Sequence, residues 1–404
     1  MSTLTIERAE QLIRSLTEGL VNIKDETGEF LMTIPDGTVI DTKGFGGWEW
    51  THGIALTGLY HHAALTPSSS AASYSLQTAL SWFRLQNDVW KGKGAPKNIN
   101  TMSPFYSLAC IVSDNLVVDE QGKEKVEEKK LWVKWLDEWA EWIMNELPRT
   151  EEGGFQHITY LEVNKDQLWD DTLMMSVIPL AKIGILFDRP QYIEEAKYQF
   201  MLHIQYLMDT VTGLWFHGWE FTPEKVTVGH NFAKALWARG NCWITISIPL
   251  FIELLAEDAK KHDRTFGEQD PLRRFLVSTF KKQVDALLRV QERESGMWNT
   301  LLVDRESYVE TSATAGFAAG IYMGLRLGLI QGEKYLQCAD AALQGVINNI
   351  RPDGQLDNVS FGTGMGHDEE HYRKIPITPM PYGPALASLA LIEWERWQIE
   401  HNKA

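Results

Sequence analysis

The feature that most constrains this chain is a helical pattern alternating between two kinds. Five amphipathic stretches end in a turn of the form polar–Gly followed by an apolar or aromatic residue: ERAEQLIRSLTEGLVNIKDETGEF, LWVKWLDEWAEWIMNELPRTEEGGF, YIEEAKYQFMLHIQYLMDTVTGLWF, LRRFLVSTFKKQVDALLRVQERESGMW and YLQCADAALQGVINNIRPDGQL. Each places apolar residues at helical spacing and charges on the opposite face; Trp132, Trp135, Leu136, Trp139 and Ile143 share one stripe. A sixth, SYSLQTALSWFRLQNDVW, has the helix but ends in GKGAP. Between them lie THGIALTGLYHHAAL, MSPFYSLACIV, DTLMMSVIPLAKIGIL, NCWITISIPLFIELLA, TAGFAAGIYMGLRLG and YGPALASLALIEW, rich in small and apolar residues and poor in charge. A helix with little charge on any side is buried all round. The order outer helix, Gly-turn, loop, inner helix therefore runs six times, at roughly 50–70 residues per unit.

A closed double ring satisfies both kinds of helix, with six inner helices forming a barrel and six amphipathic ones wrapping it. The expected fold is all-α, an (α/α)6 barrel in which residues 1–404 make one domain, although length alone would suggest roughly two or three. All loops from outer to inner helix then open on one end of the ring. Those loops are long, and long ordered loops are usually functional. They carry Trp48, Trp50, Trp169, Trp215, Trp219, Trp237, Trp243 and Trp298, out of 16 tryptophans in the chain. A cleft walled with indole rings, whose flat faces suit the C–H faces of sugars, is the expectation.

Several classes of function are disfavoured. A net charge of −16 with no basic block argues against nucleic acid, whose binding depends on clustered Lys and Arg. No apolar run approaches the ~20 residues of a membrane span, and MSTLTIERAEQLIRSL is a charged amphipathic start unlike a signal peptide. Cys110, Cys242 and Cys338 are sparse and sit in apolar segments, as expected of inert buried thiols in a reducing, cytoplasmic setting. His61–His62 and the charges of the first helix read as ordinary. HDEEH at 367–371 matches an inverted zinc-protease pattern, but only 33 residues follow it. It reads better as a loop folding over the cleft. FGTGMG lacks a phosphate-binding context, and no G-x-S-x-G elbow is present. Neither metal nor cofactor is expected, and the oligomeric state is open.

The candidate chemistry centres on LWDDTLMM at 168–175. One aspartate can cap the third inner helix, and the cap falls to Asp170. Adjacent helical residues point about 100° apart, so Asp171 turns towards the barrel axis. Burial there raises a carboxyl pKa, while the helix N-terminus and any nearby cation lower it. Asp171 is thus a proton-donor candidate. In LWARGNCW (236–243), Arg239 lies between Trp237 and Trp243. It can grip a ligand carboxylate with a bidentate fork or serve an internal salt bridge, and both readings stand. His157 and His217 can donate to sugar hydroxyls or be structural.

GGWEWTHGIALTGLY, NINTM, QLWDDTLMMSVIPL, GLWFHGWE and WARGNCW, in this order, resemble glycoside hydrolase family 105, the unsaturated rhamnogalacturonyl hydrolases, to which unsaturated glucuronyl hydrolases are related. The resemblance spans roughly residues 5 to 400 and implies the same (α/α)6 fold. It implies removal of a C4=C5-unsaturated uronate from a lyase-generated di- or oligosaccharide by hydration of the double bond. On that mechanism Asp171 protonates C4 and water adds at C5. The hemiketal then opens, without the carboxylate pair of ordinary glycosidases. It also implies sugar-binding positions at His157, His217, Trp237, Arg239 and Trp243, a pocket shaped by Trp169, and polar contacts near Asn98, Asn100 and Thr101. Ile158 departs from the Lys of rhamnogalacturonan-type members, which bears on the sugar and not on the reaction. Rival readings are an inverting glycosidase with Glu49, Glu220 or Asp357 as base, a sugar epimerase using His217 or His371, and a non-catalytic sugar-binding toroid.

Overall fold

The computed structural model describes residues 4–65 and 69–401; residues 1–3 and 402–404, the ends of the expected single-domain span, lie outside the described part. The amphipathic stretches become α1 (Ile6–Asn22), α3 (Ser70–Val89), α5 (Val126–Asn145), α7 (Pro190–Leu207), α9 (Pro271–Val290) and α11 (Glu333–Asn348). The charge-poor ones become α2 (Trp50–Leu65), α4 (Phe105–Ser113), α6 (Ile178–Phe187), α8 (Ala238–Lys261), α10 (Thr311–Arg326) and α13 (Tyr382–His401). A short α12 (Glu369–Arg373) lies in the last loop.

Local chemistry sets where the outer helices begin. The Thr5 hydroxyl accepts from Arg8 N–H ahead of α1. Asp270 accepts from Leu272 and Arg273 N–H ahead of α9, where Pro271 occupies a position with no intrahelical donor to lose. The tryptophan stripe of α5 is buried as its spacing requires.

Each inner helix packs on the next, α2–α4–α6–α8–α10–α13, and α13 returns to α2, so the inner ring is closed. Outer helices α3, α5, α7, α9 and α11 each cover the inner helix before them, and α1 covers α13, so the two ends of the chain complete the outer layer. Small residues allow the close inner contacts: a Cβ on Gly320 of α10 would fall 2.2 Å from the Thr245 carbonyl oxygen of α8. The expected (α/α)6 barrel is the observed fold.

Short strands stand at the mouth. β1 (Leu31–Thr33) and β2 (Val39–Asp41) form a hairpin with Met32 opposite Ile40. β3 (Gln167–Trp169), β4 (Gly218–Phe221) and β5 (Gly229–His230) form an antiparallel sheet in that order, with Trp169 opposite Gly218. The third inner helix departs from its expected continuous form. Residues Leu173–Val177 make a π-turn in which Ile178 N–H bonds to Leu173 O. Pro179 follows and has no N–H to offer the Met175 carbonyl, so a wider turn suits this stretch.

The tryptophans are divided differently from the expectation. Trp48, Trp215 and Trp298 are fully buried in the core, and Trp48 stacks on Trp139 with Trp82 and Trp135 edge-on. Trp219 lies on β4, against Tyr206 and away from the central cavity. Trp50, Trp169, Trp237 and Trp243 face that cavity. The three cysteines are buried and unpaired, and no helix of the described residues is long and apolar enough to cross a membrane.

Candidate active site

A cavity of about 300 Å³ opens at the mouth of the ring, within the size range of small-ligand sites. Of the residues expected to act, Asp171, His157, Trp169, Asn100, Trp237, Arg239 and Trp243 line it. His217 does not. Its ring lies behind the wall, 5.4 Å from Trp169 and 4.5 Å from Trp237 between centroids, with Nδ1 2.7 Å from Tyr372 Oη. Burial first, then nearby positive groups including Arg239, holds His217 well below its usual pKa. It supports the two tryptophans from behind.

Asp171 sits between the end of β3 and the π-turn, with its side chain 18 % exposed, towards the cavity. His157 Nδ1 lies 3.2 Å from its Oδ1 but is hydrogen-bonded to Thr172 Oγ1 at 2.8 Å, and Oδ1 keeps no hydrogen-bond partner within the protein. The His157 ring stacks on Trp169 with centroids 4.2 Å apart, and burial pushes its pKa down to about 3. A neutral imidazole therefore does little to hold Asp171 ionised. Burial raises the Asp171 carboxyl to about 7, against the pull of its own and Thr172's backbone N–H groups and the charge of Arg239. At neutral pH the acid form is substantially populated, as a proton donor requires.

Asp170 does not cap the third inner helix. Its carboxyl is buried, and neither oxygen has a hydrogen-bond partner. It faces the first turn of α8, where a Cβ on Gly240 would fall 2.2 Å from Oδ2. The helix it serves is 70 residues further along the chain, and only the assembled ring brings them together. Burial, with Asp171 adding to it, holds Asp170 well above the usual carboxylate range.

Arg239 makes internal bonds at the cavity wall. Nη1 donates to Ser360 O at 2.9 Å and Ser360 Oγ at 2.6 Å, and Nη2 donates to Phe361 O at 2.7 Å. Glu310 Oε1 lies 3.6 Å from Nη1, and the guanidinium lies over the rings of Trp237 and Tyr382. Nη1 is thus committed to the loop that closes the cavity, while Nε stays buried without a partner. Its charge still reaches the cavity, where it draws the Asp171 carboxyl down against the effect of burial.

Glu49, which the sequence offers only as a base in a rival mechanism, also reaches the cavity. It is buried beside Trp50 at the cavity wall, and its Oε2 accepts from Trp50 N–H at 3.0 Å. Burial raises its carboxyl to about 7; Trp50 N–H and the Asn100 side chain oppose this, and Asp171 adds to it. The adjacency Trp48-Glu49-Trp50 was the available signal. Glu220 pairs with Gln167 in the sheet and Asp357 is exposed; neither lines the cavity. His371 is exposed on α12 and bonded to Thr363 Oγ1.

HDEEH at 367–371 does not line the cavity; it leads into the exposed start of α12, and the part of the last loop at the cleft lies just before it. Phe361, Gly362, Thr363 and Gly364 form part of the wall, and Tyr372 ties the loop down through its contacts with His217 Nδ1 and Gly366 N. Trp50 stacks on Tyr382 and meets Trp243 edge-on, completing an aromatic side. Asp171 Oδ1, Asn100 Oδ1, Arg239 Nε and Trp237 Nε1 are all buried polar atoms without a partner in the protein. All four belong to residues that line the cavity, so a polar ligand held there has these groups along its wall.

The model of Glycosyl Hydrolase Family 88 matches residues 22–398. The unsaturated rhamnogalacturonyl hydrolase YesR of Bacillus subtilis (strain 168) is 27% identical over 350 residues, 85% of this chain and 89% of that protein. The solved structure of a possible member of the GH105 family from Salmonella enterica subsp. enterica serovar Paratyphi A is 46% identical, with a TM-score of 0.87, covering 100% of this chain and 96% of the other. The unsaturated glucuronyl hydrolase of Bacillus sp. GL1 shares the fold, at a TM-score of 0.65, 15% identity and 97% coverage of both chains.

Proposed function

Because this chain belongs to Glycosyl Hydrolase Family 88, we propose that it removes the C4=C5-unsaturated uronic acid from the non-reducing end of lyase-generated oligosaccharides, as an unsaturated rhamnogalacturonyl hydrolase. The observation that carries the reading is the Asp171 carboxyl set on an aromatic-walled cavity, with Oδ1 free of any hydrogen-bond partner within the protein. In its acid form it delivers a proton to C4. Positive charge then develops at C5, shared with the ring oxygen, and water adds there. The Asp171 carboxylate takes the proton that water gives up, and the hemiketal opens to expel the remaining sugar. Atoms and charge balance with a single acid. The substrate-binding set is His157, Trp169, Asn100, Trp237, Arg239 and Trp243, with His217 supporting Trp169 and Trp237 from behind. Residues 1–404 act as one catalytic domain, supported by the mutual covering of the first and last helices.

The test follows the ultraviolet absorbance of the conjugated double bond in unsaturated disaccharides from several polysaccharides. Wild type is expected to abolish the absorbance and Asp171→Asn to leave it intact. A second reading has one observation in its favour, since Glu49 shares the cavity with Asp171: an inverting glycosidase with Glu49 as base. It predicts turnover of saturated glycosides with no loss of absorbance from unsaturated ones. Sugar binding without turnover of either kind would leave the toroid reading. We also propose that the enzyme works in the cytoplasm on short imported oligosaccharides; three buried, unpaired cysteines fit a reducing compartment.

A further inference from the structure

Far from the mouth, where the ring closes on itself, three helices bring a second set of side chains together. Glu10 of α1, His62 of α2 and Glu395 of α13 each offer one ligand atom, and these atoms all lie within 4.8 Å of one another. His62 Nε2 is 3.0 Å from Glu10 Oε2, and His62 Nδ1 is 2.7 Å from Ser75 Oγ. His62 and Glu395 are 2 % and 1 % exposed. Oε2 of Glu395 is buried with no hydrogen-bond partner. Among the described residues, neither Glu10 nor Glu395 forms an ion pair with any lysine or arginine. Two carboxylates thus meet at one imidazole with no cation beside them. Burying charge that way is costly unless a proton or a positive ion joins it.

We propose that Glu10, His62 and Glu395 hold a divalent transition ion of the zinc class, which fastens the first helix of the chain to the last. The donor set fits. Zinc accepts imidazole nitrogen and carboxylate oxygen and, where three protein ligands hold it, completes its four-coordinate shell with water, an arrangement more open than the four-ligand structural sites, whereas calcium wants six or more oxygens. Ligand atoms around tetrahedral zinc stand ~3.3 Å apart for bonds of ~2.0–2.1 Å. The His62–Glu10 spacing is already close to that, and the third ligand atom lies within 4.8 Å of both. Ser75 supplies the outer partner that orients a metal-binding histidine: with the ion bound, Nδ1–H donates to Ser75 Oγ and the Nε2 lone pair faces the metal. Two carboxylates and a divalent ion leave the buried site neutral. His62 lies 12 residues into α2 from Trp50, or ~18 Å along a helix of 1.5 Å rise, so the ion takes no part in the reaction at the mouth.

The experiment uses the full chain, treated with a chelator and dialysed, then titrated with zinc chloride by calorimetry, with magnesium and calcium chlorides as controls. Wild type is expected to bind one zinc ion per chain, to melt higher as zinc is added, and to ignore magnesium and calcium. Glu395→Gln is expected to weaken zinc binding at least tenfold and to abolish the zinc-dependent rise. Glu10→Gln, at a partly exposed position, repeats the test should the buried variant fold poorly. Wild type that shows no saturable zinc binding, or variants that bind as wild type does, would overturn the site. A zinc-insensitive wild type with a Glu395→Gln variant that melts higher would assign the pocket to a shared proton instead.

Discussion

Asp171→Asn is expected to make the protein more stable at alkaline pH while destroying its activity. In the folded protein burial raises the Asp171 carboxyl from 3.8 to about 7. A carboxyl whose folded pKa is raised contributes its full stability below the unfolded pKa and loses it as pH climbs through the folded one. The window therefore runs from about pH 4 to about pH 8. A tenfold change in acidity between the folded and unfolded states corresponds to about 1.4 kcal/mol, so complete ionisation costs up to ~4 kcal/mol, and ~2–4 kcal/mol after discounting for the partial exposure of the side chain. An unfolding entropy of roughly 2.1 cal/mol/K per residue over 404 residues gives about 0.85 kcal/mol/K. The Asn variant should then melt about 2–5 °C above wild type at pH 8 and level with it near pH 4. The assay is thermal unfolding of both proteins across that range, with turnover of the unsaturated disaccharide measured on the same samples. A melting difference that does not change with pH, or a variant less stable than wild type at pH 8, would refute the reasoning. The first result would mean that the Asp171 carboxyl titrates alike in the folded and unfolded chain, the second that it is ionised and paired in the folded state.

Three other perturbations test how the cavity is built. Gly240→Ala sets a methyl group against the Asp170 carboxyl; overpacking of this kind costs about 1–3 kcal/mol, and displacement of the α8 start should lower both the melting temperature and kcat/KM. Arg239→Lys cannot keep the bonds from Nη1 and Nη2 to Ser360 and Phe361; a loss of about 3–5 kcal/mol is expected, with faster proteolytic cleavage in residues 361–374 as the local readout. Tyr372→Phe removes the hydroxyl shared by His217 and Gly366. Stability should fall by about 1–2 kcal/mol and KM should rise more than kcat falls, because the loop covers the substrate without touching the proton transfer.

Much of the architecture follows from local patterning. The tryptophan stripe of α5 and the charge-poor run of α10 each reveal which side of a helix meets protein, because helical periodicity repeats within a few residues. Six such alternations leave few ways to bury every apolar face, and the closed ring is one of them. Breaks in that periodicity are less legible. DTLMMSVIPL reads as one continuous helix, yet it opens as a π-turn ahead of Pro179.

The sequence by itself determined the alternation of outer and inner helices, the end of the ring on which the long loops gather, and Asp171 as the candidate acid in its motif. Tertiary structure alone decided what each of those side chains faces. Asp170 caps nothing in its own helix because its oxygens meet Gly240. Arg239 is committed to Ser360 and Phe361, more than a hundred residues away. His217 lies behind the wall it was expected to line. Glu49 joins Asp171 only when α2 and the π-turn come together at the mouth, and Glu10 meets Glu395 only when the ring shuts. Periodicity is a property of neighbours along the chain; a pKa, a hydrogen bond or a metal site depends on distances of a few ångströms between residues that only closure of the ring brings together.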